Sequence, residues 1–463
     1  MRRKIEVSIL SVLLFSTFMV LGFISPQANA SISIGDMPIL PVVGLMVLSG
    51  VIYLILLNYL DDRAMTLEIV LALGLVIRAA MLLSSPIITV DYFRYQWDGA
   101  VLANGFNPYL YSPEQILIGE VPDKLVELAN HPASTINEVI FQELRTPYPP
   151  VSQLFFALSH LVQPWSFTVW RIVLLAFDLL TLVLLLRLLD ELDLPELSIA
   201  IYWLNPLLVK EIVGSGHMDI LIMPFLLAGI LLLIRRKHYS AFLFLALSVG
   251  VKIWPIVLLP LFLRPILPDR KRAGSALLLF LTLCMLIFYP VYLSRINDSL
   301  GIVAYARNWE YNASLFQVIL IGSNTLLAIL KVHSLSGQHL SRALIAILFS
   351  VWSLHVLRDP YDSKDLFHQC TLIISGLLFL SPTFFPWYFV WILPFLVFYP
   401  LRPLLLLSSL LPLYYLRFHF FALEQVDFFD GYVVWLQFVP VWGLFFYEWL
   451  LRRRNQPGQG ADT

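Results

Sequence analysis

Asp91-Tyr92-Phe93-Arg94-Tyr95-Gln96-Trp97-Asp98-Gly99-Ala100-Val101-Leu102-Ala103-Asn104-Gly105-Phe106-Asn107-Pro108-Tyr109-Leu110-Tyr111 is polar, charged and aromatic, and it follows directly on a long apolar run. A helix that begins at Asp91 places Asp91, Arg94, Tyr95 and Asp98 on one face, because positions i, i+3, i+4 and i+7 align. Gly105 and the Asn107-Pro108 pair then end the helix and turn the chain. A carboxylate beside an arginine and aromatic rings at a membrane surface is suited to activating a hydroxyl and holding a sugar. The chemistry is expected here.

The rest of the chain explains why such a stretch stands out. Of its 463 residues, 59% are hydrophobic and only 13% charged, with a mean hydropathy of +0.80. So little charge cannot cover the surface of a soluble protein of this size. A chain that crosses a bilayer many times can accommodate it, each helical crossing needing roughly 20 apolar residues. The net charge of −1 gives no sign of a nucleic-acid partner. Cys284 and Cys370 lie in or beside apolar runs and read as small core residues rather than as a disulfide or metal site.

Apolar segments recur at about 7–25, 38–60, 66–86, 166–188, 197–213, 220–234, 274–294, 340–357, 366–381, 387–400, 404–420 and 431–451. The basic clusters Arg2-Arg3-Lys4, Arg235-Arg236-Lys237, Arg270-Lys271-Arg272 and Arg452-Arg453-Arg454 are expected on the cytoplasmic side. About twelve crossings satisfy all four, with both termini inside and the 87–150 loop outside. The N-terminus resembles a signal sequence, and Ala28-Asn29-Ala30 mimics a cleavage site. An uncleaved anchor is the preferred reading, because another apolar run follows at once.

Parity leaves three segments irregular. Val151–Gln163 is too short to span. Tyr239–Leu263 lies between two basic clusters and should enter and return, with its break near Lys252-Ile253-Trp254-Pro255. Ser314–Lys331 should break at Gly322-Ser323-Asn324. Broken segments at membrane depth line cavities, because freed backbone groups need partners. The 87–150 loop is far longer than an ordinary connection, and it carries Ile116-Leu117-Ile118 and Phe141 at intervals. It is expected to fold, with short helices lying on the outer membrane surface. The expected organisation is one polytopic domain over 1–453 and a flexible cytoplasmic tail over 454–463.

Further constellations are Gly105-Phe106-Asn107-Pro108-Tyr109, Tyr148-Pro149-Pro150, Asn205-Pro206, Gly216-His217-Met218-Asp219, Lys252-Ile253-Trp254-Pro255 and Pro386-Trp387-Tyr388. Together with Asp91–Gly99, in this order and sidedness, they resemble the GT-C superfamily of membrane glycosyltransferases. The nearest resemblance is to its bacterial polyprenyl-phosphate-mannose-dependent mannosyltransferases. Relatives often have an acidic pair before the arginine, whereas here Val90 precedes Asp91. Asp91 is then the sole base candidate at that point, and a metal-binding pair is not expected.

The resemblance implies inverting transfer from a lipid-phosphate sugar to a hydroxyl. Such a reaction needs a base for the hydroxyl proton and cations for the departing phosphate. Asp91 is the expected base, against the alternative that it caps a helix turn. Arg94 orients Asp91 or meets the phosphate, against a plain i,i+3 ion pair. Tyr95 and Trp97 stack on a sugar or anchor the interface, and Asp98 more simply hydrogen-bonds within the loop. His217 and Asp219, beside Gly214 and Gly216, bind phosphate or sugar, or merely finish a helix. Lys252 costs about 2.5–3.5 kcal/mol inside an apolar run unless it is paired or reaches water, and a phosphate would offset that cost. Its plainer roles are snorkelling or pairing with Asp178 or Glu211. Arg307 is a second phosphate candidate. Trp387 and Tyr388 belong to the donor's side. Lys210 and Glu211 read as structural, and Arg78 and Asp178 as partners of other spans.

The expected protein is thus an all-α glycosyltransferase of the cell membrane, with its active site on the extracytoplasmic face. It would move a monosaccharide, mannose before others, from a polyprenyl-phosphate donor to a lipid or glycan hydroxyl. Membrane lipids are its surroundings. No metal cluster or nucleotide-binding loop is evident, and the lipid-phosphate sugar serves as co-substrate. The rivals are a multi-span lipid or solute transporter, which the lack of an internal repeat disfavours, and a surface-glycan ligase or polymerase, which would centre on a later outer loop.

Overall fold

A computed structural model describes residues 2–28, 34–60, 65–119, 121–294, 296–358, 362 and 365–454. Asn29 and Ala30 of the cleavage-like motif, and residues 455–463 of the expected tail, lie outside the described residues. Regular structure is helical throughout, with no β-strand among the described residues. The protein is an all-α polytopic membrane protein.

Among the described residues, seven helices are long and apolar enough to cross a bilayer: Arg2–Gln27, Ile39–Leu57, Phe167–Glu191, Arg270–Leu293, Gly337–Val356, Arg402–Ala422 and Val426–Arg453. An eighth crossing is available if Glu196–Trp203 and Pro206–Gly214, bent by 52°, form one span. The remaining apolar segments expected to cross give shorter helices, such as Leu67–Leu82 and Leu366–Leu380, or turns interrupted by proline, as at Pro386 and Pro394. The outward faces carry large exposed apolar side chains, among them Leu278, Met285 and Leu286, which suits contact with lipid rather than water.

The ends of neighbouring helices are tied in register. Arg235 pairs with Glu191 at 2.6 Å, and the Tyr239 and Ser275 hydroxyls lie 2.9 Å apart. The second and third basic clusters therefore sit at the same end of the bundle. At its centre, Arg78 and Asp178 pair with each other at 2.5 Å, and the Tyr202 hydroxyl donates to Asp178 at 2.6 Å. Pro206 cannot continue the preceding helix, and the carbonyls near the break find other donors. Tyr53 donates to Ile201 O and Arg78 to Trp203 O, both at 2.7 Å. This is how broken backbone persists at membrane depth.

The three irregular segments fare differently. Pro150–Val162 is a short helix, as expected. His238–Val251 ends at Lys252, whose backbone is extended (φ −153°, ψ 142°), and a 3₁₀ turn runs over Trp254–Leu258. Pro255 imposes that break: it has no N–H to bond Val251 O, and in a continued helix its ring would clash with that carbonyl. Leu315–Ile329, by contrast, runs unbroken through Gly322-Ser323-Asn324. Ser323 there accepts a hydrogen bond from Ser341 at 3.0 Å, so these small polar residues serve close packing against Gly337–Val356 instead of a break.

The loop over 87–150 is folded among its described residues. Asp91–Ala103 packs along Pro150–Val162 so closely that a Cβ on Gly99 would lie 2.4 Å from Phe156 O. Around the far side of Asp91–Ala103, Trp97, Val101, Ile116, Leu125, Ile136 and Val139 form a small core of their own.

Candidate active site

Breaks in the helices place polar side chains around one cavity of about 850 Å³. Asp91 enters from the start of the helix Asp91–Ala103. Val90, not Asp91, occupies the capping position, and no side chain caps that end, so the capping role considered for Asp91 is not the one it plays. His217 and Asp219 enter from the turn after Pro206–Gly214. Gly216 makes that turn possible: its φ is +74°, and a Cβ there would lie 2.6 Å from the Phe167 ring. Trp170 Nε1 donates to Gly216 O at 2.8 Å and Ser215 Oγ to Ile87 O at 2.9 Å, which fixes the turn.

Lys252 reaches the cavity from its extended break. Its ammonium lies 2.5 Å from Asp219 Oδ1, and Trp391 Nε1 donates to the same oxygen at 2.6 Å. The partners considered from sequence are taken elsewhere, Asp178 by Arg78 and Glu211 by Lys210 at 3.3 Å. Tyr388 and Trp391 stack at 4.2 Å and present their faces to the Lys252 ammonium. Tyr388 also hydrogen-bonds Tyr305.

His217 lies flat on Trp387, with ring centroids 3.9 Å apart and planes within 12°. Its Nδ1 is 3.6 Å from Asp91 Oδ2 and its Nε2 is 3.4 Å from Glu211 Oε2. Arg94 makes no ion pair with Asp91 among the described residues; it donates to Leu144 O at 2.7 Å and bridges the helix to the end of the loop. Tyr95 lines the cavity and stacks on Phe156 at 4.8 Å.

The cavity therefore gathers Asp91, Arg94, Tyr95, His217, Asp219, Lys252, Trp387 and Tyr388. It leaves out three residues singled out from sequence. Trp97 is buried in the loop's own core. Asp98 sits behind the cavity, accepting from Gln153 Nε2 at 3.3 Å; burial there pushes its carboxyl above the usual range, against the opposing pull of Arg94. Arg307 is exposed and pairs with Asp298 on the surface. No group of three or more His, Cys, Asp or Glu converges as metal ligands among the described residues.

Sequence reading missed Tyr305 and Arg417 on the cavity wall; Tyr148, quoted there only as part of a motif, and Trp391, at the end of the stretch placed on the donor's side, line it too. Arg417 interrupts the 404–420 apolar run, the same signal that singled out Lys252. Its Nε has no hydrogen-bond partner among the described residues, and its guanidinium faces the Tyr311 ring at 4.8 Å.

The family described as alpha-(1->6)-mannopyranosyltransferase, N-terminal domain (MptA_B family), matches residues 17–266, more than half of the chain. The chain belongs to this family. It is a GT-C-type mannosyltransferase family, so the resemblance read from the motifs is borne out, and transferase chemistry rather than transport follows. No curated protein and no solved structure matches the chain. The MptA_B match takes in Asp91, Arg94, Tyr95, His217, Asp219 and Lys252, and ends before Trp387 and Tyr388. As a mannosyltransferase, the protein takes a sugar donor and a glycan or lipid acceptor.

Proposed function

We propose that this mannosyltransferase works at the extracytoplasmic face of the cell membrane, moving mannose from a polyprenyl-phosphate donor to a lipid-linked or glycan hydroxyl with inversion at C1. The acceptor oxygen bonds to C1, the C1–O bond to phosphate breaks with its electron pair going to the phosphate, and Asp91 takes the hydroxyl proton. An inverting reaction that yields an α linkage starts from a β-linked sugar phosphate.

The observation that carries this reading is the contrast between the two carboxylates lining the cavity. Asp219 is 1% exposed and held by Lys252 and Trp391, whereas the Asp91 side chain is 25% exposed. A base must reach its substrate. A volume of about 850 Å³ lies within the ~300–1,000 Å³ usual for ligand sites. The lining is mostly apolar, which suits a lipid-borne donor. Arg417 supplies positive charge at its wall for the departing phosphate, and Lys252, paired with Asp219, adds N–H donors.

Purified enzyme in lipid nanodiscs, offered radiolabelled mannose on polyprenyl phosphate or on a nucleotide, tests the reading. Transfer from the lipid donor alone is expected. Transfer from the nucleotide sugar with none from the lipid would overturn it.

A further inference from the structure

Glu211 has no access to the cavity, and sequence reading left it with a structural role. Its surroundings show more. The Tyr415 hydroxyl lies 2.8 and 2.9 Å from its two oxygens, Lys210 approaches it at 3.3 Å, and its Oε2 also faces His217 Nε2 from 3.4 Å. Glu211, His217 and Asp91 thus form a line from the bundle interior to the cavity, with the imidazole in the middle and clamped flat against Trp387. Both ring nitrogens are buried, and neither has a hydrogen-bond partner of good geometry among the described residues. Separations of this kind shorten in a substrate complex.

We infer that Glu211 is a positioning residue that sets the tautomer of His217 for the transfer reaction. A proton on Nε2 is directed at the Glu211 carboxylate, so the Nδ1 lone pair faces Asp91. While Asp91 is ionised, this face offers it no hydrogen bond, and the carboxylate stays free to act as base. Once Asp91 has taken the acceptor's proton, its new O–H faces that lone pair. The proton then moves from Asp91 Oδ2 to Nδ1, giving an imidazolium stacked on Trp387 and balanced by Glu211, and it leaves to solvent after the products depart. No group besides those named is needed: the electron pair of the broken C1–O bond stays on the phosphate. Trp387 adds to this, because an aromatic face attracts a cation. Lys210 and Tyr415 hold the Glu211 carboxylate in place, so that Oε2 keeps facing His217.

The inference rests on the reading of Asp91 as base, and its test separates the two. Glu211→Gln alone would strand the buried Lys210 charge, so the probe is Lys210→Met with Glu211→Gln, compared in the wild-type and His217→Gln backgrounds. In the wild-type background kcat should fall by about 10–100-fold, less than the 10²–10⁴-fold expected for losing a base, with the donor KM unchanged. In the His217→Gln background the same change should cost no further activity, because the partner it positions is gone. An equal fall in both backgrounds would overturn the inference. Asp91→Asn is assayed in parallel. If it keeps activity, the base assignment fails; if it is inactive while the two backgrounds fall equally, only the role of Glu211 fails.

Discussion

Lys252 and Asp219 meet at 2.5 Å across the cavity wall, joining a break in one apolar helix to the turn that follows another. Each explains the other's presence at this depth. Asp219 is almost wholly buried, so removing the ammonium leaves a charge with a single Trp391 hydrogen bond.

Lys252→Met is therefore expected to lose stability as well as activity. Breaking a buried pair by removing one partner costs about 3–5 kcal/mol. The double variant Lys252→Met with Asp219→Asn should recover most of the stability and none of the transfer. Thermal unfolding in nanodiscs beside a transfer assay measures both. A double variant as active as wild type would remove the pair from donor binding.

Asp91→Asn keeps shape and hydrogen-bonding capacity but cannot accept the acceptor's proton. Turnover should fall by about 10²–10⁴-fold with donor binding intact. Activity within about threefold of wild type would exclude Asp91 as base. Asp219 would then be a poor substitute, since its carboxylate is already engaged.

Asp98 gives a prediction with a definite sign in pH. Burial raises its carboxyl pKa in the folded state, so the folded protein holds its proton more tightly than the unfolded chain. The burial penalty is absent below the unfolded value and grows as pH rises towards and through the folded one. Asp98→Asn lacks this penalty while its amide oxygen still accepts from Gln153. It should be at least as stable as wild type at neutral pH, with a flatter dependence of unfolding temperature on pH. Greater pH dependence in the variant would contradict this.

Gly216→Ala should be among the most damaging single-methyl changes. The positive φ alone costs about 1–2 kcal/mol for a residue with a Cβ, and the methyl also meets the Phe167 ring. Combining it with Phe167→Ala should relieve only the second part, leaving reduced stability and reduced turnover. Full recovery in that pair would mean the backbone contributes nothing.

Sidedness is open to direct measurement. In a background without Cys284 and Cys370, Ala133→Cys on the exposed part of the outer loop should react with an impermeant maleimide on intact cells. Ser240→Cys, beside the second basic cluster, should react only after permeabilisation. Ser112 is a poor probe, since it is buried as the cap of a short helix. The reverse pattern would place Asp91 on the cytoplasmic side.

The membrane class, the break at Lys252 and the folding of the 87–150 loop were legible in the sequence because each follows from local chemistry: apolar length, proline, and aromatic residues spaced through a long loop. His217, Asp219 and Lys252 also announced themselves as polar groups in apolar surroundings. Their pairings did not, because the Lys252–Asp219 and His217–Glu211 contacts depend on how bent helices turn about their axes, and no periodicity encodes that. Gly322-Ser323-Asn324 misled for a related reason. Small residues that permit a break also permit two helices to touch, and only the neighbouring helix decides between them.

The small core around Trp97 means that the two walls of the site are held by different solvents. On the Asp91 side, burial away from water supplies the force. On the His217 and Lys252 side, the surrounding lipid tails are as apolar as the protein, and shape fit and internal polar contacts must serve instead. Urea should then loosen the loop before it disturbs the spans, pulling Asp91 away from His217 in an otherwise intact bundle. Harsh detergent should act in the opposite order, opening the Lys252 side while the loop keeps its shape.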